Sequence, residues 1–523
     1  MKRTSKRFTR SRSGCNTCKS RRKKCDEGKP TCKACQRLQL PCTYKIDLTW
    51  NMNNHRVHHL DTCTPKVSLD YVISVTNHDF ETSMLLGSLN SVNGTHSDKE
   101  NELIMKKIRE NHILEVNSGH ENSFESFERD IDVEVELFEY YINVVSEKKS
   151  FSNTAFNQFK TLVVPSSITS PALFQSIIAI TAKEIHKKGS ERSDYYAKVT
   201  SKYKDDAINS LYKILDSEPN FISNQSCNGL NEIIITILML CSLEISDKGN
   251  MRWINHLKES CLVFSSLLET KILSSETLLF AYRYFTLRYI LLLTTLNGRE
   301  LHNIIETIPW PIIDTFFQND KIDYMLGCSP RLLLLIYEGV LTQGNRETPK
   351  KDAAEMLYQL YKKLGDLKQS LDENDDGSLQ LYLCSSAYLL SAKVYLHNLF
   401  IQLTGKDEAK NINTNYCFDD DHLIIRNLLG VLEICTKKSD SQNLFPTWCL
   451  FIAGICHTDE EYRASILKIF QNLETFWPLG SPTGILRAIK TIWRIEDFSF
   501  DPAVLKGDWR DILSIVGFKL ALT

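Results

Sequence analysis

The chain has 523 residues and a net charge of −2, from 62 Lys and Arg against 64 Asp and Glu. Residues 1–45 hold 15 of the basic side chains and two of the acidic ones, so a head of net +13 precedes a remainder of net −15. That asymmetry points to a polyanionic partner at one end and argues against strong nucleic-acid binding by the rest.

Met1-Lys2-Arg3-Thr4-Ser5-Lys6-Arg7 is followed by no apolar segment, so it does not read as a secretory signal. The longest apolar-looking run, Ile233–Leu243, is too short to span a bilayer, which takes about 20 residues. The chain is therefore expected inside the cell, where thiols stay reduced and a disulfide framework would not explain sixteen cysteines.

Residues 1–13 read as a basic arm. Lys2, Arg3, Lys6, Arg7, Arg10 and Arg12 have no apolar anchor and suit phosphate contact or nuclear import.

Six cysteines follow: Cys15, Cys18, Cys25, Cys32, Cys35 and Cys42. The spacing C-x2-C-x6-C repeats 17 residues later. A C-x2-C pair at a helix start brings two sulfurs to one metal, and a third ligand six residues on extends the shell. Each half supplies three thiolates where tetrahedral zinc needs four, so two zinc ions require two bridging sulfurs. The symmetric solution makes Cys15 and Cys32 the bridges. Cys18 and Cys25 then complete one zinc, and Cys35 and Cys42 the other. So short a segment cannot fold on its own buried surface. Metal ligation has to supply the folding free energy, on the order of 10 kcal/mol in small zinc modules.

Between the second and third cysteines lies Lys19-Ser20-Arg21-Arg22-Lys23-Lys24. On a helix anchored by Cys18, residues three to four apart share a face. Lys19, Arg22 and Lys23 group together, with Arg21 and Lys24 beside them. One face suits a major groove, where the arginine fork matches guanine O6 and N7, and the flanks suit phosphates. A solvated basic run serving only nuclear import is the plainer alternative.

Cys15–Cys42 resembles the fungal binuclear zinc-cluster DNA-binding domain. Lys29-Pro30 stands in the loop between halves, where that family has a proline, and Leu38 and Leu40 precede the last cysteine. The resemblance implies that Arg21 and Arg22 read a CGG triplet in double-stranded DNA and that Lys33 contacts phosphate. Many members have lysine at the second reading position, so Arg22 alters the detail of the contact. The domain is placed at 14–44.

Residues 45–127 read as a linker, largely disordered, rich in Asn, Ser, His and acidic residues. Tyr44–Trp50 resembles a short tail that follows the cluster in one subgroup. His55, His58 and His59 read as linker rather than metal site. Val67–Val75 alternates at strand period without an obvious partner, and Leu103–Leu114 is too short for a coiled coil.

Residues 128–523 read as an all-α body. Ser170-Pro171 is a start signal and Lys187-Lys188-Gly189 a stop. Ile208, Leu211 and Leu215 line the next helix. The 230–246 segment is apolar all round and is expected at the centre. Further helices are expected at Trp253–Leu268, Ser275–Leu296, Arg331–Leu341, Ala353–Leu371, Leu379–Leu403, His422–Thr436 and Ala464–Phe476.

The body resembles the fungal-specific regulatory domain of activators of amino-acid and nitrogen catabolism, GABA catabolism among them. The segments that carry this are Leu238–Leu268, Ile322–Pro330, Leu486–Trp493 and Asp508-Trp509. The Asp26–Pro30 loop also resembles sterol-uptake regulators. Ten later cysteines lack paired spacing and read as buried small hydrophobes. The acidic runs at 372–376 and 419–421 read as solvated loops. No phosphate-binding glycine loop, zinc-protease motif or nucleophile elbow is present.

The expectation is a nuclear transcription factor, not an enzyme, holding two zinc ions. Its partners would be CGG-containing DNA, the transcription machinery, a possible second copy and a possible small-molecule inducer, with no membrane. A helical enzyme tethered by zinc, or a zinc-tethered interaction scaffold, are the competing readings.

Overall fold

The computed structural model describes residues 17–18, 21, 23, 25–26, 28, 31–40 and 42, and residues 124–522 apart from 152–156, 190–191, 218–226, 247–251, 270–274, 345–347, 372–378, 405–415, 438–443, 457–458, 477–479 and 499–507. The basic arm, the alternating segment at 67–75 and the segment 103–114 lie outside the described residues. The chain divides into two units, Met1–Ser88 and Leu89–Thr523.

In the first unit one short helix is described, α1 (Lys33–Arg37). The described residues of the second unit are mainly helical. It starts with α2 (Phe124–Tyr140), which runs into a π-turn (Tyr141–Val145) and a 3-10 turn (Glu147–Lys149). Then come α3 (Gln158–Thr161), α4 (Val163–Ser167), α5 (Pro171–Lys187), α6 (Ser193–Ser217), α7 (Cys227–Ile245), α8 (Trp253–Glu269) and α9 (Glu276–Leu293). The rest is α10 (Gly298–Thr307), α11 (Asp314–Phe317), α12 (Pro330–Gly344), α13 (Lys350–Asp366), α14 (Leu379–Thr404), α15 (Asp421–Lys437), α16 (Thr447–Cys456), α17 (Glu460–Phe476), α18 (Gly480–Phe498) and α19 (Trp509–Val516). Among the described residues no strand forms; a lone bridge joins Lys321 to Ser370.

Two helices organise the body. The first is α7, whose residues Ile233–Glu244 are buried without interruption. It packs on α5, α8 and α9. The second is α14, which packs on α12, α13, α15 and α16. Contact between α9 and α12 joins the two groups. A helix buried along its length has no face to offer water, which places α7 at the centre of its layer.

Local chemistry sets the ends. Ser170 Oγ accepts from the Leu173 N–H at 3.2 Å and Ser275 Oγ from the Leu278 N–H at 3.2 Å, each capping its helix. Gly189, just past α5, takes φ +72°. Buried indoles find acceptors: Trp448 Nε1 donates to Thr294 Oγ1 at 3.0 Å and Trp310 Nε1 to Thr286 Oγ1 at 3.0 Å.

The helix expected over Ala353–Leu371 stops at Asp366. Leu367 turns extended (φ −69°, ψ 119°), and the Ser370 carbonyl accepts from the Ile322 N–H at 2.8 Å. The last residues of that stretch therefore pair with another segment instead of extending the helix.

Candidate zinc centre and basic segment

Thr17 and Cys18 are helical, and the turn continues as the Arg21 N–H donates to the Thr17 carbonyl at 3.2 Å and the Lys23 N–H to the Cys18 carbonyl at 3.0 Å. That turn carries Arg21 and Lys23 to the surface, both exposed, while Cys18 beneath them is fully buried. Lys19, Arg22 and Lys24 lie outside the described residues, as does Cys15.

Cys18, Cys25, Cys32 and Cys35 are 0%, 4%, 0% and 0% exposed and form the core of this unit, with Cys42 and Ala34 packed against it. In so small a unit the sulfurs stand where a larger domain would put leucines. Cys18 Sγ lies 3.7 Å from Cys32 Sγ and 3.9 Å from Cys35 Sγ. Zinc–sulfur bonds of about 2.3 Å at the tetrahedral angle place ligand sulfurs about 3.8 Å apart. The Cys18–Cys32 separation therefore suits two sulfurs on one zinc, and Cys18 and Cys35, expected on different ions, stand at ligand spacing as well.

Cys32 belongs to two groups of converging donors, one with Cys18 and Cys35 and one with Cys25 and Asp26. It also caps α1, its sulfur accepting from the Cys35 N–H at 3.4 Å. Its own N–H donates to Cys42 Sγ at 3.3 Å. Backbone N–H groups aimed at sulfur favour the thiolate and fix ligand orientation.

Asp26 was not among the expected site residues. Its Oδ2 accepts from the Lys33 N–H at 3.1 Å, which holds its carboxyl below the usual range. An acid at the start of α1 offsets the poor placement of Lys33, a cation in the first turn. Because that oxygen already caps the helix, Asp26 reads as an organiser of the second half rather than a metal ligand. The sequence signal was there: an acidic residue directly after Cys25, seven residues before a helix that begins with lysine. Lys33 itself is exposed.

After α1 the chain turns through Gln39 at φ +51°, a conformation more often given to glycine. The Leu40 N–H then donates to the Cys35 carbonyl at 3.0 Å, bringing the chain back toward Cys42.

The fungal specific transcription factor domain matches residues 136–523, and the fungal Zn(2)-Cys(6) binuclear cluster domain matches residues 13–51. The chain belongs to the fungal zinc-cluster transcription factors. A transcriptional regulatory protein of Neurospora crassa is 41% identical over 75 residues, 14% of this chain and 11% of that protein. Sterol uptake control protein 2 of Saccharomyces cerevisiae is 54% identical over 35 residues, 7% of this chain and 4% of that protein. Transcriptional activator protein UGA3 of Saccharomyces cerevisiae is 56% identical over 34 residues, 6% of each chain. The chain thus aligns with 11% or less of each relative's own length. No solved structure matches. Membership makes this zinc-cluster factor a zinc-binding, DNA-binding regulator of transcription rather than an enzyme. No helix among the described residues is long and apolar enough to cross a membrane.

Proposed function

We propose that the chain is a nuclear transcription factor that binds two zinc ions and reads CGG-like triplets in the major groove. Cys15, Cys18, Cys25, Cys32, Cys35 and Cys42 hold the ions, with Cys15 and Cys32 shared. Arg21 and Arg22 address guanine edges; Lys19, Lys23, Lys24 and Lys33 address phosphates. The body governs activity in response to a small-molecule inducer, contacts the transcription machinery and allows a second copy to pair.

The observation that carries this reading is the coupling of a buried sulfur to exposed cations on one helical turn. Cys18 sits in the donor cluster, and Arg21 and Lys23 follow it on that turn. A metal that fixes the sulfur also fixes the direction of the basic side chains. Cys32, the proposed shared ligand, lies close to Cys18, Cys35 and Cys25, while the closeness of Cys18 to Cys35 departs from the expected division of those two between different ions.

The genes controlled are those of amino-acid or nitrogen metabolism, a reading supported by the resemblance of the body. Sterol genes are the second reading, supported by 54% identity to the sterol uptake protein over 35 residues.

Selection of bound duplexes from a random pool, followed by gel shifts with and without a zinc chelator, tests the proposal. Enrichment of CGG, loss of binding on chelation, and log affinity falling steeply with log salt are expected. Binding that survives chelation, or that shows no sequence preference, overturns it.

A further inference from the structure

The body holds a cavity of about 110 Å³ walled by the π-turn and 3-10 turn, α5, α7, α9 and the segment entering α16. The volume accommodates several waters, and hence a ligand of a few non-hydrogen atoms. Its charge is lopsided: Lys148, Lys149 and Arg288 line it against a single carboxylate, Glu184.

Regular helix does not direct consecutive residues to one place. Here α2 widens into the π-turn and then tightens into the 3-10 turn, and Lys148 and Lys149 both reach the same cavity. Such irregular turns recur at functional sites.

Glu184 pairs with Lys148, which accounts for the one carboxylate and leaves two cations in excess. Lys149 Nζ lies 5.9 Å from the centroid of Phe159 and has no ion pair among the described residues. Burial brings its ammonium down to about 8, with Arg288 and Lys148 adding to the effect and Glu184 opposing it. Arg288 lies over the Tyr284 ring, and its Nη1 donates to the Tyr284 carbonyl at 3.0 Å. Its Nε is buried without a hydrogen-bond acceptor among the described residues. Ser242 and Tyr284, bonded at 2.6 Å, add hydroxyls to the same wall. Ile245, Leu444 and Phe445 add apolar lining.

We infer that this cavity binds a small organic carboxylate, its charged end between Arg288 and Lys149 and its short carbon chain against Ile245 and Phe445. The guanidinium fork matches a carboxylate, and a desolvated pair of charge-assisted hydrogen bonds is strong. A fully polar anion such as phosphate would leave the apolar wall unmatched. The inference gives a site and a chemical class to the inducer of the proposed function and rests on that reading.

The zinc-loaded full chain is titrated calorimetrically with butyrate and with succinate, with phosphate and ionic-strength-matched chloride as comparisons, and thermal unfolding is followed in parallel. Saturable binding of at least one carboxylate and a matching rise in the unfolding midpoint are expected, because a ligand of the native state stabilises it. Lys149→Met and Arg288→Gln should each weaken binding about tenfold or more, through loss of a charge-assisted contact. Ser246→Phe fills the cavity without removing a charge and should abolish binding; far-UV circular dichroism on every variant reports whether the fold is kept. Absence of saturable binding by either carboxylate, binding of phosphate alone, or unchanged affinity in all folded variants overturns the inference. Gel shifts on the same preparation separate the two ideas: DNA binding without carboxylate binding removes only the cavity's role.

Discussion

Arg510 is 1% exposed, one of the largest fully buried side chains in the body. Its guanidinium meets Asp508 at 2.9 Å, Gln343 Oε1 at 2.6 Å and Gln402 Oε1, tying α19 to α12 and α14. Burial lowers the pKa of such a cation, yet Asp508, Tyr395 and Asp511 more than reverse that, so the charge is kept. Arg510→Met removes the charge and strands three acceptors; a loss of about 3 kcal/mol in denaturant unfolding is expected. Arg510→Lys keeps the charge but not the fork, and should recover only part of it. At the other end, Arg22→Ala should cost about 1–3 kcal/mol on the preferred duplex and relax preference at one base pair. Lys6→Ala in the arm should weaken binding evenly on every sequence, since phosphate contacts carry no base information. Equal losses on all sequences from both variants would show that the division of roles is wrong.

Helices cross closely where a side chain is missing. A Cβ built on Gly339 of α12 would meet Leu396 Cδ2 of α14 at 2.3 Å. Gly339→Ala therefore forces Leu396 out of place, and a loss of about 1–3 kcal/mol in thermal or denaturant unfolding is expected, as for other overpacked cores. Helix boundaries of this kind were legible wherever the signal was local. Ser170, Ser275 and Gly189 act through their own side chain or backbone, and each does in the structure what its residue type implies. By contrast, α16 escaped notice. All but its last residue are buried, so Thr447–Ile455 shows no polar face and no period to read. Short α10 was missed as well: its two buried residues, Leu301 and Ile304, are too few to stand out as a pattern. The clustering of Cys18, Cys25, Cys32, Cys35 and Cys42 was legible because residue identity and spacing alone point to it. The cavity was not, because residues near 148, 184, 242, 288 and 445 meet only in the folded chain.

The two units answer to different stabilising forces. Sulfurs form the core of the small one, while the large one buries aliphatic and aromatic side chains around α7 and α14. Cys241 and Cys261 of the large unit are poor substitute ligands. Burial pushes the Cys241 thiol up to about 12 and the Cys261 thiol up to about 11, and metal binding needs thiolate. The expectation that the later cysteines are buried holds for Cys241, Cys261, Cys328, Cys384, Cys435 and Cys449, whereas Cys417 is exposed and Cys456 half-buried. Stripping zinc with a chelator should therefore abolish DNA binding while far-UV helicity falls only slightly. A large collapse of helicity on chelation would mean that the body depends on metal, contrary to the chemistry of its thiols.

Cys32 stands in both groups of converging donors and caps α1 besides. If Cys32 bridges two ions as proposed, extracting the first weakens the hold on its neighbour, and occupancy becomes all-or-none. Stepwise acid or competitor titration monitored by native mass spectrometry should pass from doubly loaded to empty protein with little singly loaded species between. Oxidation at that one position would silence the whole reader.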